Sequence, residues 1–150
     1  NQSIGDNICL PSLDDLANKA HMLNDKKLKE FSNKFAKQMS VKMVNVDQFV
    51  SDLSGGNKQK VVFAKWIGNK SDILILDCPT RGIDIGVKVA MYQLMYRLKK
   101  EGKSIIMISE ELPELIGMSD RIMVLKDGQL THTFTRSADL KETDVIHYMI

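Results

Sequence analysis

Two short stretches hold residues whose types and spacing could do chemistry. The first is Leu53-Ser54-Gly55-Gly56-Asn57, a hydroxyl and two glycines ahead of a largely apolar run. Glycines let a backbone come close to a ligand. A helix starting there aims its free N–H groups and the positive end of its dipole at the same point, which suits an anion, a phosphate best of all. The plain alternative is a glycine loop that opens an ordinary buried helix. The second stretch, "LILDCPTRGID" from Leu74 to Asp84, ends an apolar run in Asp77. A carboxylate at the carboxyl edge of an open α/β sheet sits where ligands bind and can hold Mg2+ through water. Its plain alternative is an aspartate that caps the next turn, completed by Pro79 and Gly82. Cys78 follows directly. A covalent role for its thiol would require a base, and neither His21, His132 nor His147 is marked by the sequence as its partner.

These residues need elements to position them. Asp14–Ala20 is expected to form a short helix after Pro11, with Ser12 as its N-cap. From Asn24 to about Met39, the apolar residues Leu28, Phe31, Phe35 and Met39 form a helical stripe, and the lysines lie mostly off it. Val41–Asp52 is irregular. A helix then runs from the glycines to about Gly68, with so few polar faces that most of it should be buried. "DILILD" reads as a buried strand. Ile85–Lys100 reads as a helix with its stripe at Val87, Ala90, Met91, Leu94, Met95 and Leu98, stopped by Gly102. "KSIIMIS" and "DRIMVLKD" are strands on either side of a short helix, Leu112–Met118. Asp127-Gly128 is a turn into a returning strand, "QLTHTF", and Lys141–Ile150 is a last helix. Strand–helix–strand–helix–strand argues for α/β architecture with a mainly parallel sheet.

The bulk numbers exclude little but agree with this. The chain has 150 residues, 21 basic and 19 acidic, for a net charge of +2. That balance gives no support for a nucleic-acid binder. Cys9 and Cys78 are far apart and in no metal-ligand spacing, so two reduced thiols are expected. No apolar run approaches the length of a membrane span. The opening residues read as mid-domain text, so a fragment is expected.

Taken in order, Leu-Ser-Gly-Gly, a helix, a strand ending in Asp and "PTRGID" resemble the ATP-binding cassette (ABC) ATPases. Leu53–Lys60 resembles their signature motif, Leu74–Asp77 their Walker B strand and Arg81–Asp84 their D-loop. "LSGGNKQK", "PTRGID", "ISEELPEL" and "GMSDRIMVLKDG" resemble the second cassette of duplicated sugar-import ATPases of the ribose, galactose and xylose type. The resemblance implies a partial P-loop NTPase, ABC-type nucleotide-binding domain. About 1–70 would be the helical subdomain with the signature. About 71–150 would carry Walker B, D-loop, switch region and the C-terminal strands and helix.

The same resemblance implies roles. Ser54, Gly55, Gly56 and Asn57 would face ATP held by the first cassette of the same polypeptide. Asp77 would hold Mg2+ through water, and Asp84 would serve the cassette interface. Partners would be membrane permease subunits and, indirectly, a sugar-binding protein, with no nucleic acid, and the place of action the cytoplasmic face of the cell membrane. Three departures bear on catalysis. Nothing matches G-x-x-x-x-G-K-[ST], the phosphate-wrapping loop, which is expected before Asn1, so this chain alone should bind ATP poorly. Cys78 occupies the place of the family's catalytic glutamate, and a thiol near its usual pKa stays protonated at neutral pH. Glu110 occupies the place of the switch histidine, which second sugar cassettes also commonly lack. The expectation is an intact signature beside a catalytically weakened Walker B. The alternatives are a non-transport ABC ATPase acting in DNA repair or translation, or a non-enzymatic assembly half of a cassette.

Overall fold

A computed structural model describes residues 2–150. The chain forms two compact units. One comprises the residues up to Leu74 together with Gly82–Ser104, and the other Ile75–Arg81 together with Ile105–Ile150.

The first unit is helical. It contains α1 (Ile4–Cys9), α2 (Leu13–Leu16), α3 (Asp25–Gln38), α4 (Gly55–Gly68) and α5 (Ile85–Lys100). α1 starts in a capping box: Ser3 Oγ accepts from the Asp6 N–H, and the Asp6 carboxylate accepts from the Ser3 N–H, each at 3.0 Å. Its inner residues Ile4 and Ile8 are fully buried. The expected helix at Asp14–Ala20 is therefore corrected. Helical structure begins ten residues earlier, passes through a 3-10 turn at Leu10–Ser12 and stops at Leu16. Ser12 makes no side-chain cap, because it is buried and its hydroxyl has no hydrogen-bond partner.

α1, α3 and α4 pack against one another. α3 keeps its expected stripe, but the centre of the buried face is Ser32 and Ala36, while Leu28, Phe31 and Phe35 are only half-buried. Small residues in the middle let the helices approach, and the larger side chains flank them. Gly68 shows how close the approach is: a Cβ there would stand 2.9 Å from Phe31 Cζ. α4 is less buried than its composition suggests. Val61, Phe63 and Ala64 are inside, while Val62 and Trp66 are more than 40% exposed (45% and 44%). α5 buries Met91, Leu94, Met95 and Leu98, whereas Ala90 is exposed and Val87 half-buried.

β1 (Ile73–Asp77) and β2 (Ser104–Ile108) pair with each other. The Ser104 N–H donates to Asp72 O and the Cys78 N–H to Ile108 O, both at 2.9 Å, so the strands run in the same sense, with α5 as the crossover. "LILD" is not the fully buried strand expected. Leu74 is inside, but Ile73 and Ile75 are 60% and 68% exposed. A continuous apolar run reads as burial on both faces; here exposure alternates along Ile73, Leu74 and Ile75, and one face is uncovered among the described residues.

In the second unit, β3 (Arg121–Lys126) does not extend that pair. It forms its own antiparallel sheet with β4 (Gln129–Thr135). Asp127 and Gly128 both have positive φ, which suits a two-residue hairpin turn and explains why the antiparallel partner wins. α6 (Leu112–Met118) and α7 (Glu142–Ile146) complete the unit, and the last helix is shorter than the expected Lys141–Ile150. Ile122, Val124 and Val145 form the core, flanked by Leu112, Leu115, Ile116, Phe134, Leu140 and Tyr148.

Candidate functional site

The amino end of α4 brings four predicted site residues together. Ser54 is the N-cap residue, yet its hydroxyl does not cap the helix. Instead it accepts from Asn57 Nδ2 at 3.0 Å, and Asn57 Oδ1 in turn accepts from the Lys42 N–H at 2.9 Å. The asparagine is thus anchored from both sides, and the Ser54 O–H proton keeps its freedom to donate. Nothing lies within 4 Å of where a Gly55 Cβ would stand, whereas at Gly56 a Cβ would come to 3.1 Å from Val87. Gly55 leaves open space and Gly56 lets α5 come close. The first turn has no acidic residue, so the helix dipole meets no built-in negative charge there. This end has the chemistry of an anion site.

The carboxyl end of β1 lies in the second unit and is built differently. Cys78 sits at φ +44°, a left-handed conformation unusual for a residue with a Cβ. Its N–H is tied to Ile108 O, and its own carbonyl accepts from the Arg81 N–H at 3.1 Å. The thiol is half-exposed. Its hydrogen bond to the Asp77 side chain pushes its pKa up. Burial adds to this, as do the charges of Asp77 and Glu110, against Arg81, which lowers it. The thiol therefore stays protonated at neutral pH, the opposite of an activated nucleophile. Glu110 pairs with Arg81 at 3.4 Å, with both side chains about three-quarters exposed (74% and 73%), which makes it a weak surface contact. Asp84 belongs to the first unit, where its carboxylate accepts from the Val87 N–H at 3.0 Å and caps α5.

Three side chains that the sequence reading passed over complete the second cluster. Thr80 Oγ1 donates to the Glu114 carboxyl group at 2.6 Å, and Ser109 Oγ donates to its other oxygen. Thr80 and Glu114 are 2% and 5% exposed. Helical spacing offers only a faint signal, since Leu112, Leu115 and Ile116 surround Glu114 on a seven-residue helix, α6, yet the glutamate is its most buried member.

A sequence model of the ABC transporter family matches residues 2–81, more than half of the chain. The chain belongs to the ABC transporter family. Among its relatives, the ribose import ATP-binding protein RbsA of Clostridium perfringens is 43% identical over 141 residues, 94% of this chain and 28% of that protein. The protein of the same name from Lacticaseibacillus paracasei is 50% identical over 129 residues, 86% of this chain and 26% of that protein. The chain thus spans little more than a quarter of these relatives. Solved ABC cassettes share the fold. The cassette MJ0796, in a dimeric post-hydrolysis state bound to ADP and Pi, superposes with a TM-score of 0.78 at 20% identity, over 91% of this chain and 58% of its own. MJ1267, another ATP-binding cassette of an ABC transporter, gives 0.79 at 15% identity, over 99% and 62%. The fold is that of an ABC-type P-loop NTPase domain, present in part.

Proposed function

We propose that this chain is part of the ATP-binding, ATP-hydrolysing subunit of an ABC sugar importer of the ribose kind. The observation that carries the reading is the 43% identity to a ribose import ATP-binding protein across 94% of the chain. In this reading residues from 1 to about 70 are the helical subdomain with the signature motif, and about 71–150 hold Walker B, D-loop, switch region and the C-terminal strands and helix.

The residues present fit ATP and Mg2+. Ser54, Gly55, Gly56 and Asn57 would receive phosphate oxygens of a nucleotide held by a first cassette of the same polypeptide. Open space at Gly55 and an uncommitted hydroxyl proton at Ser54 support that role. Asp77 would hold Mg2+ through water. Among the described residues no three His, Cys, Asp or Glu side chains converge on a metal position. In this reading Mg2+, which gives up its waters reluctantly, would be held by one carboxylate, water and nucleotide oxygens. The bound cation would neutralise phosphate charge. Cys78, with its proton held by Asp77 and its pKa raised, cannot accept a proton from water as a glutamate would, so this side binds more than it hydrolyses. Glu110 stands where a switch histidine would, paired to Arg81. Asp84, besides capping α5, would meet the opposite cassette.

Permease subunits would be the membrane partners, served by a sugar-binding protein, and the subunit would act peripherally at the cytoplasmic membrane face. No helix among the described residues is long and apolar enough to cross a membrane. The test is reconstitution of the intact polypeptide with its permease in liposomes. ATP turnover should rise when sugar-loaded binding protein is added, and ribose should accumulate. Turnover indifferent to permease and binding protein would reject the importer reading.

A further inference from the structure

The buried carboxyl group of Glu114 joins two loops that the chain separates widely. Thr80, two residues past Cys78, lies 34 positions from it, and Ser109 is the residue before Glu110. Pro79 and Thr80 are both fully buried, so the segment after Cys78 is anchored by its inner face. On the other side Ser109 Oγ also accepts from the Glu111 N–H at 3.1 Å, which fixes the turn that carries Glu110. Both partners of Glu114 are hydroxyls, and among the described residues no cation pairs with it. Burying an acid with such partners is costly if the aim is stability alone, and an apolar side chain would pack the site more cheaply.

We propose that Glu114 is a positioning residue: its two oxygens, bonded to Thr80 and Ser109, set the loop bearing Cys78 against the turn bearing Glu110. The clamp explains how Cys78 persists at positive φ, since such strain lasts only where the surroundings over-determine it. Two hydroxyls converge on the two terminal atoms of one side chain, and each hydroxyl can donate or accept. Gln keeps the shape, and the hydroxyls can rotate to meet its amide; Ala leaves both unmet in a buried place. The consequence for nucleotide binding rests on the function proposed above; the clamp itself does not.

Cys78 reports on its own loop, and buried Cys9, in the first unit, is an internal control for global unfolding. The experiment is timed labelling of the intact polypeptide with a thiol reagent, read peptide by peptide. Glu114→Ala should speed labelling of Cys78 about tenfold, the factor expected from losing a buried hydrogen bond against a local opening equilibrium, with Cys9 unchanged. Glu114→Gln should recover most of the difference. Thr80→Val should speed Cys78 less, and adding it to Glu114→Ala should change little further. Unchanged Cys78 labelling in Glu114→Ala, or a parallel rise at Cys9, overturns the clamp. Mg·ATP should protect wild-type Cys78, and Glu114→Ala should need about tenfold more of it for half-protection. An ATP concentration for half-protection that does not move overturns the link from clamp to nucleotide. Wild-type Cys78 unprotected at any ATP concentration rejects the nucleotide-site reading, while labelling without ATP still decides the clamp.

Discussion

The amino end of α4 and the carboxyl end of β1 both present polar groups suited to a phosphate or its cation, yet they are held in opposite ways. At α4 the contacts are mostly short in sequence: Asn57 reaches Ser54, three residues away, Gly55 is open, and the one longer side-chain tie is from the Lys42 N–H to Asn57, 15 residues apart. At β1 the backbone is strained at Cys78, and the segment that follows is held by a glutamate 34 residues beyond Thr80. A site made mostly of local contacts is largely set once its helix forms. A site made of distant contacts exists only when its whole unit is folded.

Several variants would break or sharpen this contrast. The largest effect is expected from Ser54→Arg in the intact polypeptide, assembled as the proposed importer. A bulky cation in the open space at α4 should cut ATP turnover about a hundredfold, the scale of losing preorganised donors to a reacting phosphate. Turnover within twofold of wild type would remove α4 from the nucleotide site. Gly68→Ala comes next, at the far end of the same helix. Its methyl would press on Phe31 and Phe35 and should lower stability by about 1–3 kcal/mol. A denaturant midpoint equal to that of the wild type would show that α3 and α4 can separate freely.

At the β1 end, Asp77→Asn removes the main cause of the raised Cys78 pKa. The direction follows from the sign: a lower thiol pKa means more thiolate at neutral pH. Labelling of Cys78 should therefore speed roughly several-fold at pH 7, and its pH profile should move to lower pH. A profile that does not move would mean Asp77 does not hold the thiol proton. The smallest effect is expected from Cys78→Glu. If this side binds more than it hydrolyses, as proposed, restoring a carboxylate should raise total ATP turnover about twofold where the other site already works. No gain would show that something besides Cys78 limits this side.

How much was legible depended on the range of the contacts involved. The Ile85–Lys100 helix was readable to the residue because Asp84 caps it and its apolar stripe is periodic. The hairpin at Asp127-Gly128 was readable because the turn chemistry is local. The first helix was missed although Ser3 and Asp6 form a capping box, since Pro11 and Ser12 offered a competing start. The exposure of Ile73 and Ile75 was misread because composition cannot say how many faces of a strand are covered. The order of motifs carried the family, as the match over residues 2–81 agrees.

By itself, then, the order of residues determined the glycine-opened α4, the strand that delivers Asp77, and a thiol where a glutamate would be expected. Each follows from interactions within a few positions, where chain connectivity supplies the proximity. Only the tertiary structure decided that β3 pairs with β4 and not with β1 or β2, and that Glu114 lies buried between Thr80 and Ser109. Those outcomes depend on which distant segments exclude water together, and burial is a property of the assembled unit that no short stretch encodes.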